Sequence, residues 1–356
     1  MSADRALAVA RARRAFLLSG HPNASWSVVL VATVEVPPLA SEVRSRLEQV
    51  FGSRPDLGPV PDVISVAAGD GGAIRRRFAD RPYLDDEPGV RVGLADEGPR
   101  VLLAAHHGLL DGLGLVALMG VTLGEPMRSS AKGLGDRSST RSFGATAVAR
   151  VWEALVRPPD RVAPARSEPA EDGDHLAERE CQRLSGGTAG LIAAARSATE
   201  AWNRKRHERV ERFVVAVGAS RRDGGDIDLH EASTYLRFRP GRGEADVRAQ
   251  LAAARPQPGG PTLRTLGPLA PVAGALSRRL GSTMLVSNLG ALSGPTGLLR
   301  VEFYPVSHGR SGVALGAAST TGRTVLTLRA RRSDFDESDL QRLLGMIAER
   351  LPRPGA

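Results

Sequence analysis

Residues 102–114 read LLAAHHGLLDGLG, an apolar run interrupted by His106, His107 and Asp111. Taking imidazole or carboxylate out of water without partners costs about a few kcal/mol or more, so a chain keeps such groups where they are paired or used. Upstream, VRVGLADEGPRVLLAA reads as a hairpin whose Asp96-Glu97-Gly98-Pro99 turn joins two strands. Downstream, the apolar residues change to helical spacing at Leu113, Val116, Leu118 and Leu123. The two histidines therefore stand where a strand gives way to a loop and a helix. Adjacent residues leaving a strand point to opposite sides, so only one of the pair can face a channel. A zinc reading fails, because no third ligand stands at metal spacing.

The same alternation extends outward in both directions. WSVVLVATVEV (26–36) reads as a strand ended by Pro37-Pro38, after which Leu39, Val43, Leu47 and Val50 recur at helical spacing. A short strand around Val63–Val66 and a helix carrying Ile74 and Phe78 come next. Residues 157–174, RPPDRVAPARSEPAEDGD, have a linker composition, which divides the chain into an N-terminal lobe (1–156), a Pro-rich linker (157–174) and a C-terminal lobe (175–356).

In the second lobe the pattern predicts a helix over about 187–206, strands RFVVAVG and STYLRFR, a helix around Val247–Ala254 and a Pro-interrupted helix over 263–280. TMLVSNLG follows as a strand running into a polar turn. LLRVEFYPV, GVALGAAS and RTVLTLRAR are read as antiparallel strands, the last two joined through Thr321-Gly322. The closing helix has Leu340, Leu343, Leu344, Ile347 and Leu351 on one face and Asp336 as N-cap.

Composition excludes several classes. The chain has 356 residues, 42% hydrophobic and 24% charged, enough for two domains with cores of their own. Cys181 is the only cysteine, so no intramolecular disulfide forms. Net charge is +9, carried almost wholly by arginine, since only Lys132 and Lys205 are lysines. Aromatics are only 4%, which argues against stacking on nucleic acid bases. The arginine clusters at 75–77, 204–206, 278–279 and 329–332 read mostly as solvated faces, with the surplus suited to phosphates or an acidic carrier protein. No run approaches the roughly 18 apolar residues of a membrane span. The opening residues read as an amphipathic helix rather than a signal peptide, so a cytoplasmic monomer is expected. His21, His175, His207, His230 and His308 lie in turns or polar helices and read as surface residues.

His106-His107-Gly108-Leu109-Leu110-Asp111-Gly112 fits HHxxxDG and resembles the condensation-domain and chloramphenicol-acetyltransferase-like superfamily of thioester-dependent acyltransferases. The segments RARRAFLLSGHPNASWSVVLVATVEVPPLASEVRSRLEQVF, FADRPYLDDEPGVRVGL, FVVAVGASRR and LVSNLG carry the likeness along nearly the whole chain, most weakly between about 125 and 185. Ser287-Asn288-Leu289-Gly290 is nearer the alcohol-acetyltransferase and polyketide-associated branch than the plant branch with its DFGWG. The resemblance implies an α/β (α+β) fold of two chloramphenicol-acetyltransferase-like lobes forming a pseudo-dimer with an interfacial tunnel.

It implies an acyltransferase that moves an acyl group from acyl-CoA or a phosphopantetheinyl acyl carrier protein to a small-molecule alcohol or amine acceptor, or a lipid one. The donor is a co-substrate, with no bound cofactor and no metal; no LGGxS-type attachment site is present, so the donor arrives on a separate molecule. By the same resemblance His107 is the general base and His106 a neighbouring buried support within the catalytic motif. Asp111 forms a structural ion pair, for which Arg91 in GVRVGL is the candidate partner. Gly112, Ser287, Asn288 and Gly290 are expected at the substrate, Gly112 where helix N–H groups help carry oxyanion charge. The alternative is a catalytically silent condensation-like module that recruits a carrier protein or partner enzyme. Such a module need not keep His107 and Asp111.

Overall fold

A computed structural model describes residues 25–66, 71–84, 87–95, 99–139, 142–166, 172–208, 210–225, 227–257, 281–307 and 312–352. The expected N-terminal and 263–280 helices, and His21 and His308, lie outside these residues. In chain order the first elements are β1 (Ser27–Val34), α1 (Ala40–Ser53), β2 (Val63–Val66), α2 (Gly71–Asp80), β3 (Val90–Ala95), β4 (Arg100–His106), α3 (Gly112–Leu123), β5 (Arg128–Ser129) and α4 (Phe143–Val156). There follow β6 (Asp174–Gln182), α5 (Gly187–Arg204), β7 (Val215–Ser220), β8 (Ser233–Phe238), α6 (Glu244–Ala253), β9 (Met284–Ser293), β10 (Leu298–Tyr304), β11 (Val313–Thr320), β12 (Arg323–Arg331) and α7 (Glu337–Ala348).

Two sheets organise the molecule. The first runs β10-β1-β4-β3-β2 and the second β6-β12-β11-β9-β7-β8, with β5 paired to β9. The second is covered by helices on one face, and the first on both, with Phe78 and Ala79 of α2 against Val29, Val31, Leu102 and Ala104. In the first, Val28, Leu30, Leu103 and Val92 pack with Val43, Leu47 and Val116 of α1 and α3. In the second, Val217, Leu236, Val286, Leu315 and Leu328 pack with Ile192, Trp202, Leu340 and Leu344 of α5 and α7. At about 25 cal/mol per Å², burying such side chains is the main stabilising term of each lobe.

The opposite face of the second sheet is built differently. Cross-strand partners run Tyr235, Gly218, Ser287 and Gly316 in one row and Arg237, Ala216, Leu285 and Ala314 in the next. Small residues dominate the middle of this face. They leave space there, which the candidate site uses.

The lobes are tied together by the chain and by buried charge. β10 follows β9 in sequence but pairs antiparallel with β1 at the edge of the first sheet. It is thus a second-lobe strand given to the first lobe, rather than a partner of β11 and β12. Arg329 is 2% exposed; its Nε pairs with Asp174 at 2.6 Å, and Nη1 and Nη2 donate to the Ser27 and Ala79 carbonyls at 2.6 and 2.9 Å. Arg75 likewise donates to Glu178, Glu302 and Tyr304 in a buried cluster between β6 and β10. These two arginines correct the reading of their clusters as solvated faces: composition shows charge, whereas only the fold shows which charges are enclosed. In that cluster burial, reinforced by the hydrogen bond with Glu178, raises the Glu302 carboxyl to about 7.

The Pro-rich stretch is packed rather than loose. Val162 and Ala163 are fully buried, Trp202 Nε1 donates to the Ala163 carbonyl at 2.9 Å, and Ala165 bridges to Phe335. Among the described residues no helix is long and apolar enough to cross a membrane.

Candidate active site

The motif sits where the sequence places it. β4 ends at His106, and Asp111 caps α3, its Oδ1 accepting from Gly114 N–H at 2.7 Å. Such a cap contributes about 1 kcal/mol. The two histidines diverge as strand geometry requires. His106 is 1% exposed, accepts from Gly108 N–H on Nδ1 at 3.1 Å, and meets the edge of Tyr83 at a centroid distance of 5.6 Å. His107 is half-buried and lines a cavity of about 710 Å³ between the lobes.

Two contacts fix His107. Its N–H donates to the Trp26 carbonyl at 2.8 Å, and Trp26 itself has φ +50°, a conformation bulky residues rarely adopt. Its Nε2 lies 3.3 Å from the hydroxyl of Tyr235, brought across from β8 of the other lobe. Burial raises the Tyr235 phenol well above its ordinary range, so it stays protonated and donates when Nε2 carries no proton. The contact holds the imidazole at the wall of the cavity, against a residue of the other lobe.

Asp111 pairs with Arg222, not with Arg91. Arg222 Nη2 lies 2.9 Å from Asp111 Oδ1, and Asp111 Oδ2 accepts from Ala232 N–H at 3.1 Å. The carboxylate therefore joins the first turn of α3 to the segment between β7 and β8 of the second lobe. Arg91 stands opposite Ala104 and so shares a sheet face with Ala104 and His106, not with the motif helix. Its guanidinium lies 3.9 Å from the Tyr83 ring centroid and donates to the Arg81 and Pro82 carbonyls, both at 2.7 Å. Strand parity, which spacing from Asp111 does not reveal, decides the partner.

Ser287, Asn288 and Gly290 line the same cavity as His107, Asp111 and Gly112. They do not form a terminal turn, however. β9 continues through them to Ser293, hydrogen-bonded first within the second sheet and then to β5, with a register shift facing Ala317 to Ser319. Val286 packs in the second lobe's core and Leu289 in the first's, so the strand crosses between lobes at these residues. Gly290 has φ +73°, and a Cβ there would come within 2.8 Å of Ser130 Oγ. Asn288 accepts from Gly290 N–H at 2.9 Å and donates to Thr188 Oγ1 at 3.3 Å. At Gly112 a Cβ would lie 2.8 Å from Leu289 and 3.0 Å from Phe303, so the glycine lets α3 meet the crossing strand. Of the five histidines read as surface, His175 and His230 are partly exposed and His207 exposed.

Tyr235, Trp26 and Arg222 were not singled out by the sequence. Arg222 and Tyr235 stand 111 and 128 positions from their partners, and no local spacing encodes such pairs.

No protein-family model matches the chain, and no curated protein does. Solved structures do. A mutant of the starter condensation domain of rhizomide synthetase RzmA, in complex with C8-CoA and Leu-SNAC, is similar with a TM-score of 0.58 at 14% identity, covering 96% of this chain and 92% of that one. A second mutant of that domain, in complex with C8-CoA, is similar with a TM-score of 0.58 at 13% identity, over 95% and 92%. The condensation domain of the Monacolin K polyketide synthase MokA is similar with a TM-score of 0.53 at 12% identity, over 95% of each chain. The chain has the condensation-domain fold.

Proposed function

We propose that the protein is a thioester-dependent acyltransferase, taking an acyl group from acyl-CoA or an acyl carrier protein to the hydroxyl or amine of a small-molecule or lipid acceptor. The observation that carries this reading is His107 on the wall of the inter-lobe cavity, its Nε2 3.3 Å from the Tyr235 hydroxyl brought across from the other lobe. The RzmA domain, similar in fold, is described in complex with C8-CoA, which supports a thioester donor.

The chemistry follows from reactivity. A thioester carbonyl is already electrophilic, whereas an alcohol or protonated amine is a poor nucleophile at neutral pH. His107 takes the acceptor's proton as oxygen or nitrogen attacks the carbonyl. The new C–O or C–N bond forms, the C–S bond breaks, and the imidazolium returns the proton to the leaving thiolate. The first-turn N–H groups of Gly112 and Leu113 lack helical partners by position and are donors for the oxyanion. Asp111 acts by holding α3 and the second lobe in register.

The test is transfer itself. Incubation with a panel of acyl-CoAs and acyl carriers is expected to give thiol release that depends on an acceptor, with an ester or amide of matching mass. Carrier binding without thiol release from any donor and acceptor pair would instead support the recruiting module.

A further inference from the structure

A second cavity, of about 670 Å³, lies alongside the His107 cavity and has a different lining. Arg150, Arg157, Arg212, Arg237 and Arg255 face it with a single carboxylate, Glu153. Glu153 Oε2 accepts from Arg150 and Arg237 at 3.3 and 2.9 Å, and Oε1 from Arg212 at 3.0 Å. These three guanidinium-bearing side chains are only 22%, 12% and 19% exposed in turn. One carboxylate neutralises one of three enclosed cations, and Arg157 and Arg255 add two more at the exposed rim. Buried charge is normally paired.

Among the described residues the excess is not absorbed. Arg212 Nε and Arg237 Nε are buried without a hydrogen-bond partner among the described residues. Burial, followed by the adjacent Arg150, pushes the Arg237 guanidinium down to about 10. Arg150 donates to Gln257 and Arg237 to the Gly281 carbonyl.

Position links this cavity to the reaction. Tyr235 and Arg237 lie two residues apart on one face of β8, about 7 Å along the strand, the first lining the His107 cavity and the second the arginine cavity. We propose that the arginine cavity binds a phosphate group of the acyl donor, oxygens pairing with Arg150 and Arg237 inside and Arg255 at the rim, while the pantetheine arm follows the β8 face to His107. Guanidinium forks match phosphate oxygens bidentately; the CoA pyrophosphate, with two negative charges, would balance both uncompensated cations, and a carrier's phosphodiester, with one, would balance one of them. This rests on the acyltransferase reading. Two donors bring the same chemistry: the nucleotide phosphates of CoA and the phosphodiester joining the arm to a carrier protein.

Calorimetric binding tests the assignment without turnover. Adenosine 3′,5′-bisphosphate, CoA and pantetheine form one arm, and a carrier protein with and without its phosphopantetheine the other. Arg255→Gln, at an exposed position, keeps the fold; Arg237→Gln is compared after its thermal melt is matched to wild type. Each variant is expected to weaken CoA, or the modified carrier, roughly tenfold or more while leaving pantetheine, or the unmodified carrier, unchanged. The arm that responds identifies the donor. Equal affinity of wild type and variants in both arms, or no phosphate-dependent binding in either, overturns the site. Phosphate discrimination without acyl transfer would sink only the acyltransferase reading, and transfer without discrimination only this cavity.

Discussion

His107→Ala is expected to lower kcat for acyl transfer by about 10²–10⁴-fold, the usual contribution of a positioned general base. The fold is expected to survive. His107 follows the last residue of β4 and faces a cavity, so truncation enlarges an existing space rather than opening a core. Its N–H bond to the Trp26 carbonyl is a backbone contact that alanine keeps. The base acts on the acceptor's proton in the transition state, so the loss belongs in kcat more than in KM. Circular dichroism melts and steady-state rates on the same preparations check both halves. Near-wild-type turnover by a folded His107→Ala protein would remove the general-base assignment.

The second large effect is expected at Asp111. Its side chain is 3% exposed and that of Arg222 13%, so Asp111→Asn leaves a guanidinium enclosed without its carboxylate. Removing one partner of a buried pair costs about 3–5 kcal/mol. Asparagine is also a good N-cap, so the substitution isolates the lost charge from the lost cap. Urea unfolding of Asp111→Asn, Arg222→Met and the double variant is expected to show a coupling energy on the order of 1–3 kcal/mol. Arg91→Ala combined with Asp111→Asn is expected to be additive, since Arg91 bonds to Arg81, Pro82 and Tyr83 instead. Additivity of Asp111 with Arg222 and coupling with Arg91 would reverse the assignment. Activity is expected to fall in both Asp111 and Arg222 variants, because the pair holds the helix that follows His107 against the second lobe.

Local order was legible where period and punctuation act within one element. The change from period 2 to helical spacing across His106-His107 located the end of β4 and the start of α3, and strand parity separated a buried His106 from a cavity-facing His107. Partner choice was not legible. LLRVEFYPV reads as a strand, but nothing in it says that it leaves its neighbours in sequence to pair with β1. SNLG looks like a turn because Ser, Asn and Gly favour turns. In the fold the same residues carry a strand across two cores, with Gly290 supplying the left-handed step. Arg329 belongs to an arginine run indistinguishable by composition from a solvated face, yet it is enclosed by Asp174 and two first-lobe carbonyls.

The most direct test is a crystal structure of the protein with a hydrolysis-resistant thioether analogue of an acyl-CoA. The acyl carbonyl is expected in the inter-lobe cavity beside His107 and the crossing strand at Asn288, with His107 Nε2 reachable by an acceptor from a second opening within about 3–3.5 Å of the reacting carbon. An analogue bound away from His107, or a His107 closed off from both openings, would contradict this placement.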